Sequence, residues 1–163
     1  MKNKILIITC IIWFLCCHCA YSQLGFVDIR NNEQYLDSNK TNLIITISTS
    51  SCHNCYLELN KFLSSMGMIN SDTINIITLS FLPPNSLKDI SERKIYYNQS
   101  KQYFPNVKNR YFYDSSRNKD GKFLNTPLNY WKFPYIFVID SKGNTVVYDD
   151  YQNFIKYCLT LKM

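Results

Sequence analysis

An α/β fold built on a mixed central sheet is the class this sequence predicts, and three stretches predict it. From Asn42 to Phe81 an apolar run, a helical pattern and a second apolar run follow one another. From Tyr135 to Tyr148 two apolar runs are joined by the turn sequence Ser141-Lys142-Gly143-Asn144. From about Tyr151 apolar residues recur at helical spacing. A strand–helix–strand unit gives two parallel strands joined by a right-handed crossover, and a hairpin gives an antiparallel pair. The chain has 163 residues, 46% apolar and 18% charged, which suits one globular domain with a real core and excludes a disordered chain.

Residues 1–22 read as a secretory signal peptide. Lys2 and Lys4 precede an apolar run from Ile5 to Leu15, and Ala20-Tyr21-Ser22 places small residues for cleavage after Ser22. The apolar run is shorter than the roughly 20 residues of a membrane span. The alternatives are an uncut anchor or a lipid-modified cysteine at Cys16, Cys17 or Cys19, although Leu15, Cys16 and His18 are poor residues to precede one. Cleavage removes Cys10, Cys16, Cys17 and Cys19 and leaves Cys52, Cys55 and Cys158. One close pair and one odd thiol is not a disulfide scaffold. Loss of Lys2 and Lys4 takes the formal charge from +6 to +4, and so modest a balance gives no reason to invoke nucleic acid.

Residues 23–41 are polar and irregular and read as a covering segment or edge strand, anchored by Phe26, Val27, Ile29, Tyr35 and Leu36. Leu43 to Ser48 is nearly continuously apolar, as in a strand buried on both faces. The helix after it carries Cys55, Leu59, Phe62, Leu63 and Met66 on one face, and Gly67 stops it. Ile74 to Phe81 is a second buried strand, ended by Pro83-Pro84. A polar helix is expected from Asn85 to about Lys101, with Ser86 as cap and Leu87, Ile90 and Ile95 as its apolar side. Phe104 to Tyr113 holds a short strand, and Asp114 to Gly121 is a charged loop. Tyr135 to Asp140 and Thr145 to Tyr148 form the hairpin. The last helix carries Phe154, Cys158 and Leu161 in register, with Tyr157 beside them.

Chemistry concentrates at Cys52-His53-Asn54-Cys55, where strand turns into helix. Two cysteines separated by two residues at a helix start can close a disulfide. The first of them sits among unsatisfied N–H groups and the helix dipole, which stabilise a thiolate. Cys55 belongs to the apolar stripe, while Cys52, one turn earlier, lies at the exposed helix start.

The Cys-x-x-Cys unit inside a strand–helix–strand, followed by Phe133-Pro134, a strand, a glycine turn, a hairpin strand and a terminal helix, resembles the thioredoxin superfamily. The match runs over residues 42–163 and is closest to the exported TlpA-like branch. The long stretch between the second strand and Pro134 fits that branch's insertion. The resemblance implies a thioredoxin-like three-layer sandwich with a central mixed β-sheet flanked by helices. It also implies an exported, periplasmic thiol-disulfide oxidoreductase that exchanges disulfides with protein substrates. Carried over residue by residue, Cys52 is the nucleophile, Cys55 resolves, and Pro134 is the cis-proline facing the disulfide. His53 tunes the thiolate. No bound cofactor is implied, since the cysteines carry the electrons, but the resemblance implies a redox partner such as a membrane-borne thiol carrier. The sequence departs from the family at Ser51, where an aromatic residue is usual, and at Thr46, where some relatives hold a buried acid.

The competing readings are structural. A lone cysteine pair can be a plain disulfide. Tetrahedral zinc wants four ligands, and the mature chain offers Cys52, Cys55, His53 and the distant Cys158. A non-enzymatic module of the same fold, either a Cu(I) carrier using soft thiolates or a partner-docking protein, is the alternative function. Copper-carrying relatives use a remote histidine, and none follows His53. Cys158 reads as a buried small hydrophobe, and Glu58 as a solvated helix residue with a proton shuttle as its minority role. The basic, tyrosine-rich stretch from Lys88 to Lys122 is a solvated face or a protein-docking surface.

Overall fold

A computed structural model describes residues 25–48, 52–82, 87–114, 123 and 134–160. The leader, Ser51, Pro83-Pro84, Ser86, Phe133, Leu161 and most of the loop after Asp114 fall outside them. Among the described residues seven strands form one sheet: β1 (Phe26–Val27), β2 (Glu33–Gln34), β3 (Thr41–Ile47), β4 (Ile74–Phe81), β5 (Asn109–Tyr113), β6 (Ile136–Ile139) and β7 (Thr145–Tyr148). The helices are α1 (His53–Ser65), α2 (Ile90–Tyr103) and α3 (Tyr151–Thr160), with a 3₁₀ turn at Met68–Asn70.

Across the sheet the order is β2-β1-β5-β4-β3-β6-β7. β3, β4 and β5 are parallel, while β6 runs antiparallel to β3 and β7 to β6. The sheet is therefore mixed and flanked by helices, the thioredoxin-like α/β arrangement. The steps β3-α1-β4 and β4-α2-β5 move the same way across the sheet. Two right-handed crossovers of that kind put both helices on one face.

The strands explain the core. On β3, Leu43, Ile45 and Ile47 face α1 and α3, packing with Leu59, Leu63, Phe154 and Cys158. Ile44 faces the other way, joining Ile77, Leu79, Phe81, Phe137 and Ile139 in an aromatic-rich second core with Phe26, Tyr113 and Phe123. The residues of β3 from Asn42 onward are buried, as a central strand covered on both faces requires. Gly67, at φ +67°, ends α1 as expected.

The segment before β3 supplies β1 and β2 at the sheet edge, paired antiparallel. Its turn and the β6–β7 turn share one design. Asp28 accepts from the N–H of Arg30 and from the N–H and side-chain amide of Asn32. Asp140 does the same with Lys142 and Asn144. The fourth residue of each is left-handed, Asn31 at φ 69° and Gly143 at φ 91°, a conformation open chiefly to Gly and Asn.

Two expectations need correction. The helix after β4 is capped by Asp89, whose carboxylate accepts from the Ser91 N–H at 2.7 Å. Of its expected apolar side, Leu87 just ahead of the helix is buried as expected, but Ile90 and Ile95 are 51% and 63% exposed. Instead Arg93, Ser100 and Tyr103 are buried, with Tyr96 and Tyr97 partly so. The Ser100 hydroxyl meets the Thr78 hydroxyl of β4 at 2.7 Å, and Arg93 Nη1 donates to the Leu87 carbonyl at 2.7 Å. The second correction concerns α1, whose buried stripe starts at Tyr56 and continues through Leu59 and Leu63. Cys55 lies one position ahead of it and is half-buried.

Candidate active site

The site is assembled at the C-terminal end of β3. Cys52 is the N-cap of α1, extended at φ −60° and ψ 106°, and its Sγ accepts the Cys55 N–H at 3.4 Å. A cap side chain normally supplies oxygen for this role, and here sulfur takes it. Cys52 and Cys55 are joined as a disulfide with their Cα atoms 5.3 Å apart. Cys52 is exposed and Cys55 half-buried, so an incoming sulfur reaches Cys52 first. No acidic residue lies in the first turn of α1, and the helix N-terminus therefore favours negative charge on Cys52 without opposition from its own first turn.

Tyr56 fixes this helix start to the sheet. Its side chain is fully buried. Its hydroxyl accepts the Ser48 N–H at 3.0 Å and donates to the Thr46 carbonyl at 3.3 Å. One side chain thus bridges the strand end and the first turn of α1. Its ring stacks on Tyr103 at 4.8 Å and 22°, and meets Phe104 edge-on at 6.0 Å. Sequence reasoning gave Tyr56 no part in the site, although its spacing to Leu59 and Leu63 marks it as the head of the buried stripe.

Thr46 also takes a definite job. It is fully buried, and its Oγ accepts the Tyr135 N–H at 2.7 Å and donates to the Tyr135 carbonyl at 3.1 Å. The Thr46 N–H donates to the same carbonyl at 3.0 Å. The segment that follows Pro134 is therefore held to β3 two residues before Ser48. Pro134 itself is buried. At this buried position a neutral hydroxyl acts as a backbone clamp.

The remaining candidates separate. His53 is exposed on the first turn of α1, with its ring 5.1 Å from that of Tyr103 at 66°. Glu58 accepts a hydrogen bond of 2.6 Å from the Tyr151 hydroxyl, tying α1 to α3, and this bond raises the Tyr151 pKa. Cys158 is buried in α3 as a free thiol, and burial pushes its pKa up, which makes it a poor nucleophile. Among the described residues no three His, Cys, Asp or Glu side chains cluster as a metal site. No helix among them is long and apolar enough to cross a membrane.

An exposed capping cysteine, a shielded partner three residues on and a mixed sheet behind them define a thioredoxin-like fold with its cysteine pair at the helix start. No protein-family model matches the chain, and no curated protein matches its sequence. Solved structures do match. A domain described as a possible thiol-disulfide isomerase, from Cytophaga hutchinsonii, superposes with a TM-score of 0.54 at 17% identity, over 85% of this chain and 87% of its own. A thiol:disulfide interchange protein from a Bacteroides species gives 0.53 at 15% identity, over 82% and 83%. The thioredoxin domain of a thiol-disulfide oxidoreductase from Bacteroides vulgatus gives 0.51 at 17% identity, over 80% and 89%. At these identities the likeness is one of fold, and the fold is that of thioredoxin-like proteins.

Proposed function

We propose that this chain is an exported thiol-disulfide oxidoreductase of the TlpA-like kind, with Cys52 as nucleophile and Cys55 as resolving thiol. The observation that carries the reading is the Cys52–Cys55 bridge across the start of α1, with Cys52 exposed and its sulfur accepting a helix N–H. In the reducing direction the Cys52 thiolate attacks one sulfur of a protein disulfide, and that S–S bond breaks to release the other sulfur as a thiolate. The deprotonated Cys55 sulfur then attacks Cys52 Sγ. The mixed disulfide breaks, the second substrate sulfur leaves, and the Cys52–Cys55 disulfide forms. Two electrons pass from the pair to the substrate. A dithiol partner, here a membrane-borne carrier, returns them by the reverse sequence. His53 tunes the thiolate, and Pro134 faces the disulfide as a cis-proline. The clamp between Thr46 and Tyr135 supports that placement of Pro134, because it brings the segment to the same end of β3. The leader of residues 1–22 supports export to the periplasm, and the exposed position of Cys52 supports protein thiols and disulfides as substrates.

Equilibration with glutathione buffers, read by thiol alkylation, tests the reading. A potential near about −270 mV marks a reductant and one near about −120 mV an oxidant. Cys52→Ala should lower exchange with a model disulfide protein by at least about 10³-fold, the scale of deleting an enzyme nucleophile. Cys55→Ser should instead accumulate mixed disulfide. If the pair never bridges in any buffer, or if Cys52→Ala exchanges at the wild-type rate, the reading is wrong.

A further inference from the structure

His53 is exposed, yet it is not a free rotor. It stands three residues before Tyr56 and so on the same side of α1, where the last residue of α2, Tyr103, packs against its ring with centroids 5.1 Å apart. Tyr103 is itself held. It is buried at 7% exposure and stacks on Tyr56 at 4.8 Å. Its hydroxyl accepts a bond from Gln99 Nε2 at 3.3 Å. Tyr56 is in turn fixed to Ser48 and Thr46 of the strand end. An imidazole thus sits at the outer end of a stack whose inner end is the sheet.

The placement matters because the first turn of a helix is the wrong end for a cation. An imidazolium at position 53 is opposed by the helix dipole and has no first-turn carboxylate to offset it. What favours it there is the thiolate of the adjacent Cys52 and the Tyr103 ring, which meets the imidazole in a T-shaped contact at 66° with centroids 5.1 Å apart, inside the roughly 6 Å over which a π-face attracts a cation.

We propose that Tyr103 is a positioning residue for the cysteine pair. It holds the His53 imidazole on the first turn of α1, one residue along from Cys52, so that in the reduced protein the imidazolium and the thiolate stabilise each other. The proposal rests on the redox reading above for its consequence, since a larger thiolate fraction on the attacking sulfur makes the oxidised pair a stronger acceptor of electrons. It assigns a role in the site to α2, a helix that contributes no cysteine and no proline to it.

The test is a double-mutant cycle on the reduced full chain. The quantity read is the ratio of thiolate to thiol at Cys52, from thiolate ultraviolet absorbance at neutral pH with Cys55→Ser as background. The glutathione equilibrium constant is measured beside it with Cys55 intact. Tyr103→Leu is expected to lower the thiolate ratio about two- to fivefold, the factor an exposed cation–π contact contributes. Tyr103→Phe, which keeps the ring, should restore it. In a His53→Ala background Tyr103→Leu should have no further effect. A ratio that rises in Tyr103→Leu, or a loss that persists without His53, overturns the proposal. Should Tyr103→Leu fail to fold, the wild-type protein still decides. The His53 ring protons should be displaced upfield by the Tyr103 ring current, and ring protons at their ordinary frequencies overturn the proposal. Wild-type protein that forms no Cys52–Cys55 disulfide fails the redox reading, whereas active wild type with an additive cycle fails only this one.

Discussion

The two ends of the parallel strands hold their polar groups in different ways. At the C-terminal end of β3, side chains grip main chain: Thr46 holds Tyr135, and Tyr56 holds Ser48 and Thr46. At the N-terminal end, side chains grip one another. Asn109 donates to Asn75 at 2.6 Å, Asn75 donates to Asn42 at 2.8 Å, and Asn42 donates to the Asp37 carbonyl at 2.8 Å. That ladder crosses β5, β4 and β3 beside a polar cavity of about 310 Å³ lined by Lys40, Asp72 and Lys108 among others. Both aspartate turns lie at this end too, because β1 and β6 run antiparallel to β5 and β3. The ladder locks strands against each other, and the main-chain clamps hold the end of β3 to the helix that carries Cys55 and to Tyr135, next to Pro134. Stability is thus shared between the ends, while the cysteine pair belongs to one.

Tyr56→Phe should break that division most clearly. It keeps the ring stack and deletes two buried hydrogen bonds, costing about 1–3 kcal/mol of stability. Because the start of α1 loses its tether, disulfide exchange should fall about ten- to a hundredfold, the scale on which small misplacements are felt. Urea unfolding and a model-disulfide assay read the two effects. Exchange at the wild-type rate would show that the clamp serves stability alone.

Asn75→Ala is the matching change at the other end. It removes the middle rung of the ladder and costs a similar stability, about 1–3 kcal/mol, with exchange changed less than about twofold in folded protein. A large loss of exchange would mean that strand register at the far end reaches the cysteines, and the two ends would not be separable.

How much of this was visible in sequence follows the same line. The strands were readable because β3 and β4 are nearly unbroken apolar runs, and the Cys52–Cys55 bridge because two thiols one turn apart at a helix start can close a disulfide. α2 was placed but its face was misjudged. Its buried side runs through Arg93, Tyr96, Tyr97, Ser100 and Tyr103, at helical spacing, but hydropathy counts those residues as polar. Burial there is made by aromatic rings and by a guanidinium bonded to a carbonyl, so the isoleucines 90 and 95 misled. Tyr56 was passed over for a related reason: its value lies in a hydroxyl that meets main chain eight and ten residues earlier in the sequence, a contact no local pattern encodes. The asparagine ladder was silent because it depends on register across three strands.

The smallest effect expected concerns acid, and it should appear only at the far end. Hydrogen bonds from the Asn144 side chain and backbone hold the Asp140 pKa below its ordinary value. For Asp28, burial pushes the pKa up but the bonds from Asn32 and Arg30, with the Arg30 charge, outweigh it and the net shift is downward. A carboxylate of lowered folded pKa contributes stability that is complete above the unfolded value of about 3.9. That contribution is lost as pH falls through the lower folded value. Asp28→Ala and Asp140→Ala should therefore each lower the melting temperature slightly at pH about 6, with the difference from wild type closing as pH falls below about 3. Amide exchange should locate the loss at Asn32 and Asn144, whose N–H groups the carboxylates hold, and leave the Ser48 amide, held by the Tyr56 hydroxyl, unchanged. Equal loosening of Ser48 would mean that the turns and the cysteine end open as one unit.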